Sequence, residues 1–330
     1  MATKTAKKEA AQSGFSYALK SFIGYLEGTH KSIHTIKNYR LDLLAFETFL
    51  KQSQPANIGL CFEQVSQADV ERYRNHLKGK GLKTNTRRRK LLTVTQFLSY
   101  LAKRKKISPE MARKAPAPHK IERIPYTVSY HSLIELIQQL PSETVLDARN
   151  RVLLWTLAET GCLVSEVTQL RFEDWIQAED LTKVSVRIPG KFARTVPVSV
   201  PLYEAIEVLK ARLENSRNSG TYLFLGYNKF GALGGPLSPR GVEMVVKFYG
   251  PKLGFPQLTP RTFRHSVILS WFEQGLPQNH IQDRLGLKTT YAFRSYMPLL
   301  NARNSAEGAE AHSRSNSGTT SIAEMTPPES

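Results

Sequence analysis

The chain is predicted to be mainly α and built of two domains, the second carrying a short strand-rich insertion. Three observations carry this expectation. Apolar residues recur at spacings of three and four in both halves, a proline-rich stretch separates the halves, and one segment of the second half alternates in strand fashion around a turn signal. At 330 residues the chain is long for one core and comfortable for two, since single domains usually hold about 100 to 200 residues. Hydrophobic residues make up 41% of it in short periodic groups, which excludes global disorder and leaves no run near the ~20 apolar residues of a membrane helix.

In the first half, Ile36, Tyr39, Leu43, Phe46 and Leu50 mark an amphipathic helix over 32–50, with Ser32 as its cap. A second helix is expected from Ser66 to Lys78, with Val70, Tyr73 and Leu77 inward, ending at Gly79-Lys80-Gly81. A third runs from Thr84 to Lys103 on Leu91, Val94, Phe97, Leu98 and Leu101, and an upstream helix from Phe15 to Leu26 completes a four-helix domain over 13–106. Residues 1–12 are basic, with no apolar segment after them to form a secretory signal. Prolines 109, 116, 118 and 125 prevent a continuous helix and make 107–127 an interdomain linker, with Arg113, Lys114, Lys120 and Arg123 along it.

In the second domain, 128–300, helices are expected near 131–139, 147–160, 164–171, 201–215 and 238–253. Lys183 to Ile188 and Arg194 to Val198 form a hairpin around Pro189-Gly190. Thr259 reads as the cap of a helix with Pro260 in its first position and Gly275 at its end. A short helix from Gln278 to Leu285 stops at Gly286, and Pro298 is expected to end the following helix early. The Ser-, Ala-, Glu- and Thr-rich tail 301–330 is disordered by composition.

The formal net charge of +18 is unevenly spread: residues 1–125 hold 25 Lys and Arg against 9 Asp and Glu, and residues 126–330 hold 21 against 19. A cationic first half concentrates polyanions, of which nucleic acid is the commonest large one in a cytoplasm. Candidate phosphate contacts are Lys37, Arg40, Lys83, Arg87, Arg88, Arg89, Lys90, Lys103, Arg104, Lys105, Lys106 and Lys120. A solvated lysine-rich face or a ribosome-associated protein stays open beside that reading, and a run such as Arg87 to Lys90 passes every side of a helix. Cys61 and Cys162, far apart, point to a reducing cytoplasm and no disulfide framework. His30 and His34 lack further partners for a metal site, so neither metal nor another cofactor is expected.

The stretch Thr259-Pro-Arg-Thr-Phe-Arg-His265, followed by Arg284-Leu-Gly-Leu-Lys-Thr-Thr-Tyr-Ala-Phe-Arg-Ser-Tyr296, resembles the C-terminal boxes of tyrosine recombinases of the Xer and phage-integrase type. The spacing Ser32-x-x-Thr35-x-x-x-Tyr39-x-x-Asp42-Leu43 likewise resembles their N-terminal core-binding, SAM-like domain. The resemblance runs over residues ~12 to 300. It implies double-stranded DNA as partner, attack of Tyr296 on a phosphodiester to give a 3′ phosphotyrosine, and no metal or nucleotide. It also implies assembly on DNA, as a homotetramer or with a partner recombinase, in a cytoplasmic, nucleoid-associated protein.

Residue by residue, the resemblance makes Arg264 the phosphate clamp and Lys191, on a turn, the acid toward the leaving 5′ oxygen; a solvent-facing turn lysine is the alternative at that position. Three positions depart from the pattern. Leu163 stands where the first box has arginine, Arg261 where the second has histidine, and Leu287 where histidine or tryptophan follows the glycine. Arg171, eight residues beyond Leu163, would lie about 12 Å along a helix and so cannot stand in for it. Arg261 binds an oxyanion but cannot shuttle protons near neutral pH, and His265 is expected to be structural. Two functions stay open: an active site-specific recombinase, and a catalytically impaired relative that serves as a sequence-specific DNA-binding or accessory protein.

Overall fold

The computed structural model describes residues 14–53, 65–112, 117–178, 183–190, 192–215, 221–227 and 233–302. The backbone divides into two units between Glu122 and Arg123, and each unit has its own apolar core.

The first unit is formed by α1 (Phe15–Gly28), α2 (Ile33–Ser53), α3 (Gln67–Gly79) and α4 (Thr84–Lys103). The inward positions expected from the 3–4 spacing are the buried ones: Leu43, Phe46 and Leu50 on α2, Val70, Tyr73 and Leu77 on α3, and Leu91 to Leu101 on α4. Helix α4 packs against the other three, and Phe97 meets Phe22 at 5.3 Å and Phe15 at 5.5 Å between ring centroids. Ser32 Oγ accepts from the Thr35 amide at 3.2 Å at the start of α2. At the start of α3, Ser66 and Asp69 form a reciprocal capping box, in which the Asp69 carboxylate accepts from the Ser66 amide at 2.8 Å.

The second unit is built around α6 (Val145–Thr160), whose residues Val152 to Ala158 are buried on every side, as a helix at the centre of a domain must be. It packs against α5 (Tyr130–Gln138), α8 (Val200–Asn215) and α10 (Pro260–Glu273). The short α7 (Val164–Val167) follows it. The strands β1 (Trp175–Gln177), β2 (Val184–Ile188) and β3 (Arg194–Val198) form an antiparallel sheet in that order. Val184, Val186 and Ile188 alternate onto its buried face. A second, two-stranded sheet pairs β4 (Leu225–Tyr227) with β5 (Leu233–Pro236), and α9 (Pro239–Lys252) and α11 (Gln278–Leu285) complete the unit.

The structure corrects three expectations. The helix expected over 164–171 stops at Val167, because the Asp174 carboxylate takes the Arg171 amide at 2.9 Å and caps a 3₁₀ turn at Phe172–Asp174. Arg171 therefore lies off any helix, bridged to Tyr222 and paired with Glu173 at 3.2 Å. Strands β1, β4 and β5 escaped the sequence reading; each is three or four residues long, and β5 reads Leu-Gly-Gly-Pro, with no β-branched residue to signal it. Pro298 does not end a helix: Thr290–Ser295 is a 3₁₀ stretch, and residues 297–302 then turn helical with the proline in the first turn, where its missing N–H costs nothing. The basic N-terminus, Cys61, Arg113, Lys114, Lys191 and the tail beyond 302 lie outside the described residues. Among the described residues, no helix is long and apolar enough to cross a membrane.

Candidate active site and nucleic-acid interface

Two helix C-termini and one helix N-terminus organise the site in the second unit. Helix α6 ends at Gly161, which adopts the left-handed conformation at φ +58°, and α11 ends the same way at Gly286, at φ +62°. Helix α10 begins beside them, with Thr259 Oγ1 accepting from the Thr262 amide at 3.2 Å and Pro260 in the first turn.

Arg264, one turn into α10, bridges the two C-termini. Its Nη1 donates to the Gly161 carbonyl at 2.5 Å and its Nη2 to the Leu285 carbonyl at 3.1 Å. Unpaired carbonyls at helix ends carry partial negative charge, so a guanidinium is well placed there. Burial pushes its pKa below the usual arginine value, and the Glu166 carboxylate opposes that fall. Two of its five N–H groups are engaged with these carbonyls, which fixes its orientation while leaving donors for a further acceptor.

Arg194 on β3 makes a second anchor. Its Nη1 and Nη2 donate to the two oxygens of Glu166 at 2.8 and 2.9 Å, and its Nε donates to the Arg284 carbonyl at 2.6 Å. The pair is withdrawn from solvent, with side-chain exposures of 7% for Arg194 and 13% for Glu166. Glu166 Oε2 also accepts from the Leu163 amide at 2.7 Å. Leu163 itself is 48% exposed, so an apolar side chain faces water at the position where the resemblance has arginine.

Tyr296 follows the 3₁₀ stretch Thr290–Ser295 and is 3% exposed, packed with Val267, Ile268, Trp271, Ile281, Leu285 and Phe293. Leu287, the third departure from the family pattern, packs against the same cluster. The phenol oxygen is hydrogen-bonded to His265 Nδ1. Burial drives the Tyr296 pKa above its usual value, with Arg264 and then Arg261 pulling the other way. His265 is pushed down to about 4 by burial, with Arg261 and then Arg264 adding to the fall, so its ring is neutral at neutral pH. A phenol is the stronger acid of two neutral partners, so the phenol donates and Nδ1 accepts.

Arg261 lies on the exposed side of α10 and has no hydrogen-bond or ion-pair partner among the described residues. Arg264 is turned inward instead, so the two arginines expected to project together differ in setting: one anchored, one open. Lys191 lies outside the described residues. Among the described residues, no group of three or more His, Cys, Asp or Glu side chains is placed to hold a metal ion.

In the first unit the candidate phosphate contacts fall into two sets. Lys37, Arg40, Lys83, Lys103, Arg104, Lys105 and Lys106 are exposed, with Arg104 lying over the Tyr100 ring at 4.4 Å. Arg87, Arg88, Arg89 and Lys90 are engaged with the fold, while Lys120 lies in an exposed pair. Arg89 pairs with the buried Asp42, Lys90 donates to the same carboxylate at 3.0 Å, Arg88 donates to the Pro118 carbonyl at 2.7 Å, and Arg87 to Thr84 Oγ1 at 3.1 Å. Lys120 pairs with Glu122 at 3.6 Å.

Residues 128–302, more than half of the chain, match the Phage integrase family, and residues 19–105 match the phage integrase N-terminal SAM-like domain. The chain belongs to the phage integrase family. Relatives in it include the tyrosine recombinase XerC of Syntrophus aciditrophicus, 27% identical over 312 residues that cover 91% of this chain and 98% of that protein. XerC of Halalkalibacterium halodurans is 28% identical over 291 residues, covering 83% and 91%. Similar solved folds are the XerH site-specific recombinase bound to palindromic difH substrate in a post-cleavage complex, with a TM-score of 0.65 at 19% identity over 80% of this chain and 76% of that one. A lambda integrase dimer bound to a COC′ core site reaches a TM-score of 0.59 at 15% identity, covering 84% and 75%.

Family membership leaves two contacts of this site to the structure. His265, expected to be structural, touches the phenol, and Glu166 on α7 and Arg194 on β3 form the ion pair, withdrawn from solvent, that ties those two elements together. The sequence signal for His265 was its place four residues after Arg261, one helical turn along the same face. Glu166 and Arg194 are separated by 28 residues, and no local pattern links them.

Proposed function

We propose that this protein is a DNA-binding, site-specific tyrosine recombinase in which Tyr296 forms a 3′ phosphotyrosine. The observation that carries the reading is the setting of Tyr296: in a chain of this family, its phenol lies in the field of Arg264 and Arg261 and is hydrogen-bonded to a neutral imidazole. Arg264, held by two helix-end carbonyls, presents its remaining donors to a non-bridging phosphate oxygen. Arg261, open at the start of α10, adds a second guanidinium where orphan amides also favour an anion. Lys191 protonates the leaving 5′ oxygen. The exposed cations of the first unit bind the phosphate backbone, as expected from a charge of +16 over residues 1–125. Solved neighbours bound to DNA include lambda integrase dimers, which supports assembly on a duplex here; we take that assembly to be a tetramer, or one with a partner recombinase, acting in the nucleoid.

A second reading is favoured by two observations: Leu163 removes a guanidinium, and the phenol is buried with its pKa raised. A lost charged donor at such a site typically costs about 10²- to 10³-fold in rate. In that reading the protein binds its site and leaves strand transfer to a partner.

A nicked suicide duplex, carrying the sequence this protein selects from a random pool, separates the two. An adduct formed by the wild type and lost in Tyr296→Phe, with binding unchanged, supports the recombinase. Tight binding with no adduct supports the accessory protein. Leu163→Arg has room at the half-exposed position and raises cleavage by up to about 10²- to 10³-fold; no gain counts against matching Leu163 to the first-box arginine.

A further inference from the structure

The Arg261 substitution leaves a gap in the chemistry that the rest of the site fills. Attack by a phenol needs a group to take its proton, and a guanidinium, always charged, cannot do so. One turn further along α10 stands an imidazole already in contact with the phenol. His265 Nδ1 lies within hydrogen-bond reach of Tyr296 Oη, and the two rings, 5.6 Å apart between centroids and tilted by 57°, meet at an angle rather than stacked. Among the described residues, His265 is the one ionisable side chain hydrogen-bonded to that oxygen.

We infer that His265 accepts the Tyr296 phenol proton during strand cleavage and returns it during religation. The inference rests on the recombinase reading and extends it to the nucleophile's side of the reaction. As the Tyr296 Oη–phosphorus bond forms, the O–H bond breaks and its proton passes to Nδ1. The phosphorus–O5′ bond breaks on the opposite side, and that oxygen leaves with a proton from Lys191. In the reverse step a 5′ hydroxyl attacks the phosphotyrosine, gives its own proton back to Lys191, and the departing phenol recovers its proton from the imidazolium.

The electrostatics explain why the transfer waits for DNA. Burial chiefly depresses the basicity of His265 in the free protein, and Arg261 and then Arg264 are the charged groups that add to it. A scissile phosphate held by these two guanidiniums brings negative charge to that cluster, and the pentavalent transition state brings more. Both changes favour the imidazolium. Without a phosphate the proton stays on the phenol and the tyrosine is inert.

The test uses the full chain and the selected nicked duplex, made with either oxygen or sulfur at the bridging 5′ position of the scissile phosphate. His265→Asn keeps an acceptor oxygen close to the Nδ1 position but takes no proton; His265→Ala removes both functions. The inference expects both variants to form the Tyr296 adduct at least about 10²-fold more slowly than wild type on either duplex, while His265→Asn keeps the wild-type duplex Kd and melting temperature. Sulfur leaves without a proton, so it rescues Lys191→Ala but neither His265 variant. A wild-type rate for His265→Asn would reduce His265 to a holding role and overturn the inference, as would rescue of His265→Asn by sulfur. Absence of any adduct from the wild type on either duplex removes the recombinase reading and this inference with it, and is told apart because the unmutated chain is then silent. If His265→Ala unfolds, His265→Asn and a more acidic fluorinated tyrosine at 296 decide the matter. The acidic phenol shrinks the His265→Asn loss when proton transfer is the role, and leaves it unchanged when it is not.

Discussion

Gly161 offers a measurable test of how α6, α10 and α11 meet. Its backbone stands at φ +58°, and an added Cβ would lie 2.8 Å from Val267 Cγ1, 3.5 Å from Leu285 Cδ2 and 3.6 Å from Arg264 Cγ. Val267 is fully buried and β-branched, so it has no free rotamer into which to withdraw. Gly161→Ala therefore adds an overpacking cost of about 1–3 kcal/mol to a left-handed backbone cost of about 1–2 kcal/mol. Gly275→Ala supplies the control: at φ +75° it carries the backbone cost, but its Cβ meets nothing within 4 Å. The excess for Gly161→Ala is then about 1–3 kcal/mol, or roughly 2 to 12 °C of melting temperature for a domain of this size. Trp155, Trp175 and Trp271 are the three tryptophans of the chain and all lie in the second unit, so intrinsic fluorescence reports that unit alone. Equal losses for the two variants would refute the close approach of Gly161 to Val267. The same substitution also disturbs the carbonyl that anchors Arg264, so cleavage by Gly161→Ala falls by more than its stability loss accounts for.

Glu166→Ala leaves Arg194 charged and buried without its carboxylate, and tryptophan fluorescence in urea is expected to show about 3–5 kcal/mol lost from the second unit. Asp42→Ala strips Arg89 and Lys90 of their shared buried partner; circular dichroism of unfolding is expected to show about 2–3 kcal/mol lost, while the two released cations strengthen duplex binding at low salt. Burial alone would raise the Asp69 pKa, but hydrogen bonds from the Ser66 side chain and amide, and from Arg72, outweigh it and hold it below 3.8. A carboxyl lowered on folding stabilises the fold above its unfolded pKa and loses that contribution as pH falls through the folded one. Acid titration below pH 3.8 is thus expected to destabilise α3, and Asp69→Asn to flatten that dependence.

The helices were legible in the sequence wherever one face had to be buried. Helix α4 spans Thr84–Lys103 and α11 spans Gln278–Leu285, at the bounds their spacing and glycine stops indicate. Thr259 and Pro260 likewise marked the start of α10 through cap chemistry that acts within three residues. Legibility failed where a distant partner decides the local conformation. The turn after Val167 depends on Asp174, and the Leu170 carbonyl accepts from Leu223 across the unit at 2.8 Å. Within the site, the spacing of Tyr296 from Gly286 was readable. That the phenol turns inward to His265 was not, because it follows from how a 3₁₀ segment packs on α10 and not from any local pattern.

The Asp42 cluster bears on how this protein responds to ionic strength. Each phosphate neutralised by a lysine or arginine releases condensed counterions and adds about 0.9 to the slope of log affinity against log salt. Arg89 and Lys90 already share a buried carboxylate in the folded protein, so these two side chains displace few ions when a duplex arrives. A tally of basic residues thus overstates how steeply affinity falls as electrolyte is added, and the shortfall measures how much cationic charge the first unit keeps for its own architecture.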